Sequence, residues 1–180
     1  AALIISAVDP GGPNVVDEPA RLAILPEHWT GWVGRPGLSG SREGRNWSPK
    51  FTATQVRVDG KPVITTDGTV TIINAGPASV EVDAVDEVAE LVLLITIEMT
   101  AGGLVRARAK VINSGLDPYA VNDCVIAFPL PQSAREILDF AGHWCKERVP
   151  QRQPLGVGTH LREGRKGRTG ADAATLLHVG

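Results

Sequence analysis

An alternation of apolar and charged residues is the feature that most constrains the fold of this chain. Residues 80–86 read Val-Glu-Val-Asp-Ala-Val-Asp, and residues 104–111 alternate in the same way with three cations as the charged members. A period of two places successive side chains on opposite faces of a β-strand, so one face of each segment is buried and the other is solvated. We expect the acidic and basic outer faces to pair across the sheet. Between them, Leu91–Met99 is nearly all apolar, which predicts a strand covered on both faces.

Turn signals separate further candidate strands at short intervals. The alternating segment Gln55–Val58 runs into Asp59-Gly60, the strongest short-range signal for a β-hairpin. The chain has 20 glycines and 13 prolines, and they punctuate short runs rather than form a repetitive tract. The pattern predicts an all-β fold, a large antiparallel β-sandwich that forms a single domain over residues 1–180. The other predicted strands are Ala1–Val8, Ala20–Leu25, Pro62–Ile64, Val70–Asn74, Cys124–Leu130 and Thr175–Val179.

Two segments depart from the strand pattern. Residues 27–49 lose all periodicity and contain three of the four tryptophans, which predicts an ordered, exposed aromatic loop of about twenty residues. Residues 134–144 place apolar side chains at helical spacing, and Ser133 with Glu136 would form a capping box. Taken alone, this segment favours a helix. Trp144 ends it, and its apolar surroundings predict a core position.

Composition excludes several classes of protein. A net charge of -2 provides no field that would attract nucleic acid or an acidic membrane, and the longest nearly apolar run is far shorter than the ~20 residues that span a bilayer. The two cysteines, Cys124 and Cys145, form neither a disulfide framework nor a zinc set, so we expect buried free thiols. No segment has the pattern of a secretory signal, which favours a cytoplasmic location. Both ends are interpreted as cut, with the chain a piece of a longer protein.

The motifs that usually carry chemistry each fail their own test. The basic stretch Arg162–Arg168 lacks the Gly-Lys-Ser/Thr end of a phosphate-binding loop, and Gly156–Leu161 lacks the third glycine of a dinucleotide fingerprint. None of the four histidines, at positions 28, 143, 160 and 178, has a partner at metal-ligand spacing, and no Gly-x-Ser-x-Gly elbow occurs. We therefore predict no cofactor, no metal and no catalytic residue in this chain.

One series of motifs resembles a known family. A Gly-x-Trp-x-x-Glu-Arg element is followed by x-Arg-x-Pro-Leu-x-x-Gly and then by an Arg-x-Gly-x-Thr-Gly loop. This order is similar to that in the N-terminal domain of glycoside hydrolase family 36, the microbial α-galactosidases (melibiases). The matching residues are Gly142, Trp144, Glu147, Arg148, Arg152, Pro154, Leu155, Gly158, Arg165, Gly167, Thr169 and Gly170.

The resemblance implies a fold and a division of labour. It implies a β-supersandwich of the galactose mutarotase type, and it favours a strand rather than a helix over residues 134–144. The catalytic (β/α)8 barrel of such an enzyme needs roughly 250 residues and would lie outside this chain. The whole enzyme would hydrolyse terminal α-galactosides, such as melibiose and raffinose-type oligosaccharides, with retention. The partners implied are that barrel, the α-galactoside substrate and further copies of the full-length protein.

The resemblance also implies where substrate contacts would lie. In some relatives a loop of this domain reaches the galactose pocket, and here the aromatic loop keeps an Arg-Pro pair at Arg35-Pro36 but lacks the acidic residue expected before it. We predict that Trp32, Arg35 and Trp47 bind substrate, with tryptophan stacking on a sugar face and arginine donating to hydroxyls. An equally open reading has these tryptophans pack against the barrel. A separate alternative is a stand-alone carbohydrate-binding β-sandwich module that uses the same loop.

The family's catalytic carboxylates have no counterpart that the sequence supports. No lysine is followed two residues later by aspartate, which is the pattern of the family's nucleophile. The spacing of its acid/base motif occurs at Arg135–Asp139 and at Arg168–Asp172, but both lie ahead of any barrel. Neither aspartate is therefore expected to be catalytic.

Overall fold

A computed structural model describes residues 4–6, 21–46, 48–63, 76–128, 130, 133–163 and 177–180. Within these residues the regular structure consists of thirteen β-strands and a single turn of 3-10 helix at His28–Thr30. All of the strand pairs are antiparallel. The all-β prediction is confirmed. No helix in the described part of the chain has the length and hydropathy needed to cross a membrane.

The strand bounds are β1 Ile4–Ser6, β2 Arg21–Ala23, β3 Leu38–Arg42, β4 Arg45–Asn46, β5 Thr52–Val58, β6 Lys61–Pro62, β7 Ala78–Asp86, β8 Leu91–Met99, β9 Val105–Asn113, β10 Tyr119–Cys124, β11 Glu136–His143, β12 Lys146–Pro154 and β13 Leu177–Val179.

The described strands form four sheets. In the three smaller sheets β1 pairs with β2, β3 lies between β10 and β4, and β11 lies between β12 and β13. The largest sheet has five strands in the order β6-β5-β7-β8-β9.

The chain divides into two compact units. The first contains β1 to β10, and the second contains β11 to β13. In the first unit one hydrophobic cluster takes side chains from both the five-stranded sheet and the sheet of β3, β4 and β10, so the two sheets form a sandwich around it. Burying each large aliphatic side chain stabilises such a core by roughly 1.5–3 kcal/mol. The fully or nearly fully buried members are Ile24, Leu25, Leu38, Phe51, Val82, Ala84, Ala89, Leu91, Leu93 and Ile95.

Several local predictions are confirmed. Asp59 and Gly60 both have positive φ, 49° and 74°, and they form the predicted two-residue turn between β5 and β6. The segment 136–143 is strand β11, so the extended conformation favoured by the resemblance is correct and the helical spacing is misleading. Strand β8 has the predicted bounds, but only one of its faces is buried and the other is half-buried.

Two boundaries are wrong. Residues 27–49 do not form one long loop, because Leu38–Arg42 and Arg45–Asn46 are strands. The inward positions of β3 include Gly40 and the buried Arg42, so apolar residues do not recur at every second position and the sequence pattern does not indicate a strand. The predicted strand at residues 124–130 is also wrong, since the strand ends at Cys124. After Cys124, the N–H groups of Val125 and Ala127 each donate one hydrogen bond to a loop carbonyl, and these isolated bonds do not form a strand ladder. The predicted strand at residues 70–74 lies outside the described residues.

The expected pairing of the acidic and basic strands is wrong as well. Strand β8 separates β7 from β9, so their charged faces are not neighbours. The acidic residues Glu81 and Asp83 of β7 instead pair with Arg57 of β5, at 2.7 and 2.8 Å. Those two carboxylates raise the pKa of the Arg57 guanidinium above its usual value.

Three residues expected in the core are exposed. Trp144 is 83% exposed, because it occupies the tip of the β11–β12 hairpin, where a side chain projects from the sheet. Cys145, the second tip residue, is exposed for the same reason. Cys124 is exposed at the end of β10. The apolar run before Trp144 therefore marks the buried face of a strand and stops short of the turn.

A buried arginine joins the turns at one end of the first unit. The Arg42 guanidinium donates to the carbonyl of Ala89 at 3.0 Å, to Oδ1 of Asn113 at 2.8 Å and to the carbonyl of Asp117. Its Nε lies 3.8 Å from a carboxylate oxygen of Glu90. The β7–β8 and β9–β10 connections are thereby fixed to β3.

We expect Arg42→Ala to lower the free energy of unfolding by about 2–4 kcal/mol, because it removes three hydrogen bonds, leaves the buried Ala89 carbonyl without this donor and removes a buried side chain. Urea unfolding at neutral pH measures the change. Arg45→Ala is the matched control, since Arg45 is exposed on the adjoining strand, and it should cost under about 0.5 kcal/mol. Equal effects of the two substitutions would show that the Arg42 contacts are not stabilising.

Candidate functional site

Residues 27–37, which lie between β2 and β3, form a compact loop that we call the tryptophan loop. It is closed at its base by a hydrogen bond from the Gly37 N–H to the Pro26 carbonyl at 2.7 Å. A 3-10 turn at His28–Thr30 shapes its first half. In its second half the Trp32 ring lies so close to Gly34 that a Cβ there would be 2.7–2.9 Å from ring atoms. Only glycine fits beneath the ring, so the loop has a defined conformation.

A buried carboxylate anchors the loop to the sandwich. Glu27 accepts a hydrogen bond from the Phe51 N–H at one oxygen and from the Trp29 indole N–H at the other, both at 2.7 Å. Burial is the main cause that raises the pKa of Glu27 above its usual value. The Lys50 ammonium lies 5.1 Å from the Trp29 ring centroid, within range of a cation–π interaction. Trp29 is therefore held by two residues, Glu27 and Lys50, although it is exposed.

The structure brings two of the three predicted substrate-binding residues together. The Trp32 indole N–H donates to the Arg35 carbonyl at 2.9 Å. The Arg35 guanidinium donates to Oδ1 of Asp123 at 2.7 Å, and both of these charged side chains are substantially exposed. Trp47, the third predicted residue, lies outside the described residues.

Asp123 is the site residue that sequence reasoning missed. It lies on β10, 88 positions from Arg35, and nothing in the sequence links the two. The register of β10 against β3 pairs Asp123 with Ser39, just after the tryptophan loop, and so places a carboxylate beside the loop. Trp32-Val33-Gly34 directly precedes Arg35-Pro36, where an acidic residue was expected, and a carboxylate reaches Arg35 from a distant strand instead.

The outer surface of the tryptophan loop combines aromatic and charged groups. Trp29 is 46% exposed, Trp32 38% and Val33 98%, next to the Arg35–Asp123 ion pair. Indole faces stack on the C–H face of sugars, a guanidinium donates to hydroxyls, and a carboxylate accepts from them. The arrangement is suited to binding a neutral polyhydroxylated ligand.

The buried carboxylates of the described residues are occupied by structural contacts. Asp86 accepts hydrogen bonds from the N–H groups of Lys50, Val88 and Ala89, at 2.6–2.9 Å. Asp139, only 1% exposed, accepts from His160 at 2.7 Å and from Arg162. The hydrogen bond from Arg162 is the main cause that lowers the pKa of Asp139. Both contacts of Asp139 are made through Oδ2, whereas its Oδ1 is buried without a hydrogen-bond partner among the described residues. The contacts of these carboxylates lie within the fold.

The histidines also have local partners. The His28 ring lies 3.1 Å from the Gly34 carbonyl, and the His143 ring lies 2.7 Å from the Trp144 carbonyl. The His178 ring meets Phe140 edge-on. Each of these rings therefore has a contact within the fold. Across the described ranges, no three His, Cys, Asp or Glu side chains converge as a metal-binding group.

Comparison with known proteins identifies the family. The model of the glycosyl hydrolase family 36 N-terminal domain matches residues 8–180. The chain belongs to this family.

Similar proteins agree with the match. An α-galactosidase of Escherichia coli is 28% identical over 165 residues, which is 92% of this chain and 21% of that protein. The family 36 α-galactosidase AgaA of Geobacillus stearothermophilus in complex with stachyose has a TM-score of 0.70 at 16% identity, over 99% of this chain and 26% of that one. The galactosidase domain of AgaSK, an α-galactosidase–sucrose kinase, has a TM-score of 0.69 at 18% identity, over 97% and 26%. At such low identity these two structures show the fold alone. The chain spans about a fifth to a quarter of the length of these relatives.

The raised pKa of Glu27 predicts a pH dependence for this family 36 domain. A carboxyl whose pKa is higher in the folded state contributes stability that is present below its unfolded pKa and is lost as the pH rises through its folded pKa. The amide in Glu27→Gln does not titrate. We therefore expect the free energy of unfolding of the wild type to increase relative to Glu27→Gln as the pH falls from about 7 to about 4. Urea unfolding across that range measures the difference.

Asp139→Asn is the matched control with the opposite sign. The lowered pKa of Asp139 means that its contribution is present above its unfolded pKa and is lost as the pH falls. The wild type should therefore keep its advantage over Asp139→Asn as the pH falls to about 4 and lose it in stronger acid, so unfolding of this pair is followed to about pH 2. If both differences move in the same direction with pH, the assignment for Glu27 is wrong.

Proposed function

We propose that this chain is the non-catalytic N-terminal domain of an α-galactosidase that, as a whole, hydrolyses terminal α-galactosides with retention. The observation that carries the proposal is the match of the family 36 N-terminal domain to residues 8–180. The relative in Escherichia coli is an α-galactosidase, and AgaA has been crystallised with raffinose and with stachyose. Melibiose and raffinose-type oligosaccharides are accordingly the proposed substrates.

The chemistry is proposed to occur in a catalytic barrel of the same longer protein. Retention requires two carboxyl groups about 5–5.5 Å apart, one acting as nucleophile and one as acid/base. In the described part of this chain, the buried candidates Glu27, Asp86 and Asp139 accept hydrogen bonds from structural partners. The hydrogen bonds of Glu27 and Asp86 and the burial of Asp139 favour a supporting rather than a catalytic role for the domain.

The proposed role of the domain is to shape the entrance of the active site and to hold subunits of the enzyme together. Within this role, Trp32, Arg35 and Trp47 contact the oligosaccharide. Asp123 is a positioning residue, because its ion pair at 2.7 Å directs the Arg35 guanidinium and restricts its rotamers. A mostly pre-formed loop limits the entropy lost when sugar binds.

A second candidate function is supported by the same loop. The exposed indoles of Trp29 and Trp32 would also suit a carbohydrate-binding module that acts without a barrel. The two functions differ in what this chain does alone. As part of an enzyme, it contributes to a pocket completed by other residues, whereas a module binds sugar by itself.

We expect the 180-residue chain alone to leave p-nitrophenyl α-galactoside unhydrolysed and to bind melibiose and raffinose more weakly than millimolar. Isothermal titration calorimetry measures the binding, with Trp32→Ala as the comparison. Millimolar or tighter binding that Trp32→Ala abolishes would favour the module. Sequencing the reading frame beyond Gly180 completes the test, since a barrel with a Lys-x-Asp strand is expected there.

In the complete enzyme we expect Trp32→Ala to raise KM for raffinose by roughly three- to tenfold, because a stacking contact contributes about 0.5–1.5 kcal/mol. Asp123→Asn should raise KM less than Trp32→Ala does, because the asparagine amide oxygen still accepts a hydrogen bond from the Arg35 guanidinium. Arg35→Ala removes the guanidinium and should raise KM more than Asp123→Asn does. Steady-state kinetics with melibiose and raffinose measure these changes. Trp144→Ala is the matched control, an exposed tryptophan outside the loop, and should leave KM unchanged. An unchanged KM for Trp32→Ala would remove the loop from the substrate site.

A further inference from the structure

The outward face of the five-stranded sheet carries charges in columns that follow the strands. Glu81 and Asp83 of β7 lie in register with Arg57 and Gln55 of β5, and Arg57 is paired with both carboxylates. Near the opposite edge of the same face, Arg106 of β9 pairs with Glu98, its register partner on β8, at 2.9 Å. Each of these cations is thus matched by a carboxylate on the neighbouring strand.

Two cations of β9 have no such match. Arg108 lies opposite Thr96 and Lys110 opposite Leu94, so the adjoining strand presents no carboxylate to either. Both side chains are exposed, and among the described residues neither forms an ion pair or hydrogen bond. Strand β8 therefore places no negative charge opposite Arg108 or Lys110. A carboxylate level with either cation would have to come from solvent or from beyond the sheet edge.

Strand β9 is also the outermost strand of this sheet in the described part of the chain. Its pairing with β8 runs through nine consecutive positions without a bulge, and its sequence contains no proline. Bulges, prolines and charged side chains all protect a sheet edge from further pairing. Strand β9 has no bulge or proline, and its cations repel only a strand that carries like charge. On its inner face, Ala109 and Val111 pack only partly buried against the hydrophobic cluster. An added strand would extend both the hydrogen-bond ladder and the core.

We propose that β9 is a docking edge for an extended segment of a partner protein that carries carboxylates at alternate positions and apolar residues between them. The carboxylates would lie beside Arg108 and Lys110, and the apolar residues would continue the inner face over Ala109 and Val111. A second copy of β9 is a poor occupant. In an antiparallel self-pair centred on Arg108, cation would face cation at each outward position, which is destabilising.

An octapeptide with the sequence of residues 79–86, Ser-Val-Glu-Val-Asp-Ala-Val-Asp, provides the probe, because it has the required alternation. We expect it to bind the purified protein, to slow amide hydrogen exchange along β9 and to weaken as salt is raised. The same peptide with glutamine and asparagine in place of its acids should bind roughly tenfold more weakly.

The double variant Arg108→Glu/Lys110→Glu should reduce affinity for the acidic peptide at least tenfold. The matched control is Arg45→Glu/Lys61→Glu, which makes the same change of charge at exposed positions on other strands and should retain binding. The variant Arg108→Gln/Lys110→Gln, which adds no negative charge, should bind the acidic peptide with an affinity between those of the two double Glu variants. Circular dichroism verifies that each variant folds. Equal affinity for the acidic and neutral peptides, equal affinity of both double Glu variants, or protection outside β9 would each overturn the proposal.

Discussion

The guanidinium of Arg42 is the contact on which the organisation of the first unit depends. Strand β3 contributes few apolar side chains, and its inward positions are Leu38, Gly40 and Arg42. A buried cation is costly unless it is fully hydrogen-bonded, and here the carbonyls of Ala89 and Asp117 and the Asn113 side chain satisfy it. Its burial therefore requires the β7–β8 and β9–β10 turns to converge on the end of β3. One polar contact fixes elements that hydrophobic burial alone would leave free to slide.

The candidate site follows from the placement of β3. Because β3 begins one residue after Gly37 closes the tryptophan loop, fixing the strand also fixes the loop. The ladder between β3 and β10 then brings Asp123 alongside Arg35, and the buried Glu27 holds Trp29 from below. The loop presents rigid aromatic faces without any regular structure longer than one 3-10 turn. Rigid loops on a sandwich scaffold are the usual means by which such folds present binding residues.

Prediction from the sequence succeeded where local chemistry decides conformation. The Asp59-Gly60 turn and the bounds of β8 follow from φ preferences and from an apolar run, both of which operate over a few residues. It failed for β3, because glycine and a buried arginine occupy positions that the pattern expects to be apolar. It failed for Trp144, because an apolar run does not show where a strand turns. Within the candidate site, Trp32 and Arg35 were predicted through their residue types and their roles stay predictions, whereas Asp123 was not predicted.

The sequence by itself determined the all-β class, most strand positions and the family, since these depend on short-range alternation, turn residues and a motif over residues 142–170. Only the tertiary structure decided which strands are neighbours. That choice separated the acidic β7 from the basic β9 and placed Thr96 and Leu94, rather than carboxylates, opposite Arg108 and Lys110. It also joined Arg35 to Asp123 across 88 positions. Strand order is set by burial and by satisfied polar groups summed over the whole unit, and no local pattern of residues contains that sum.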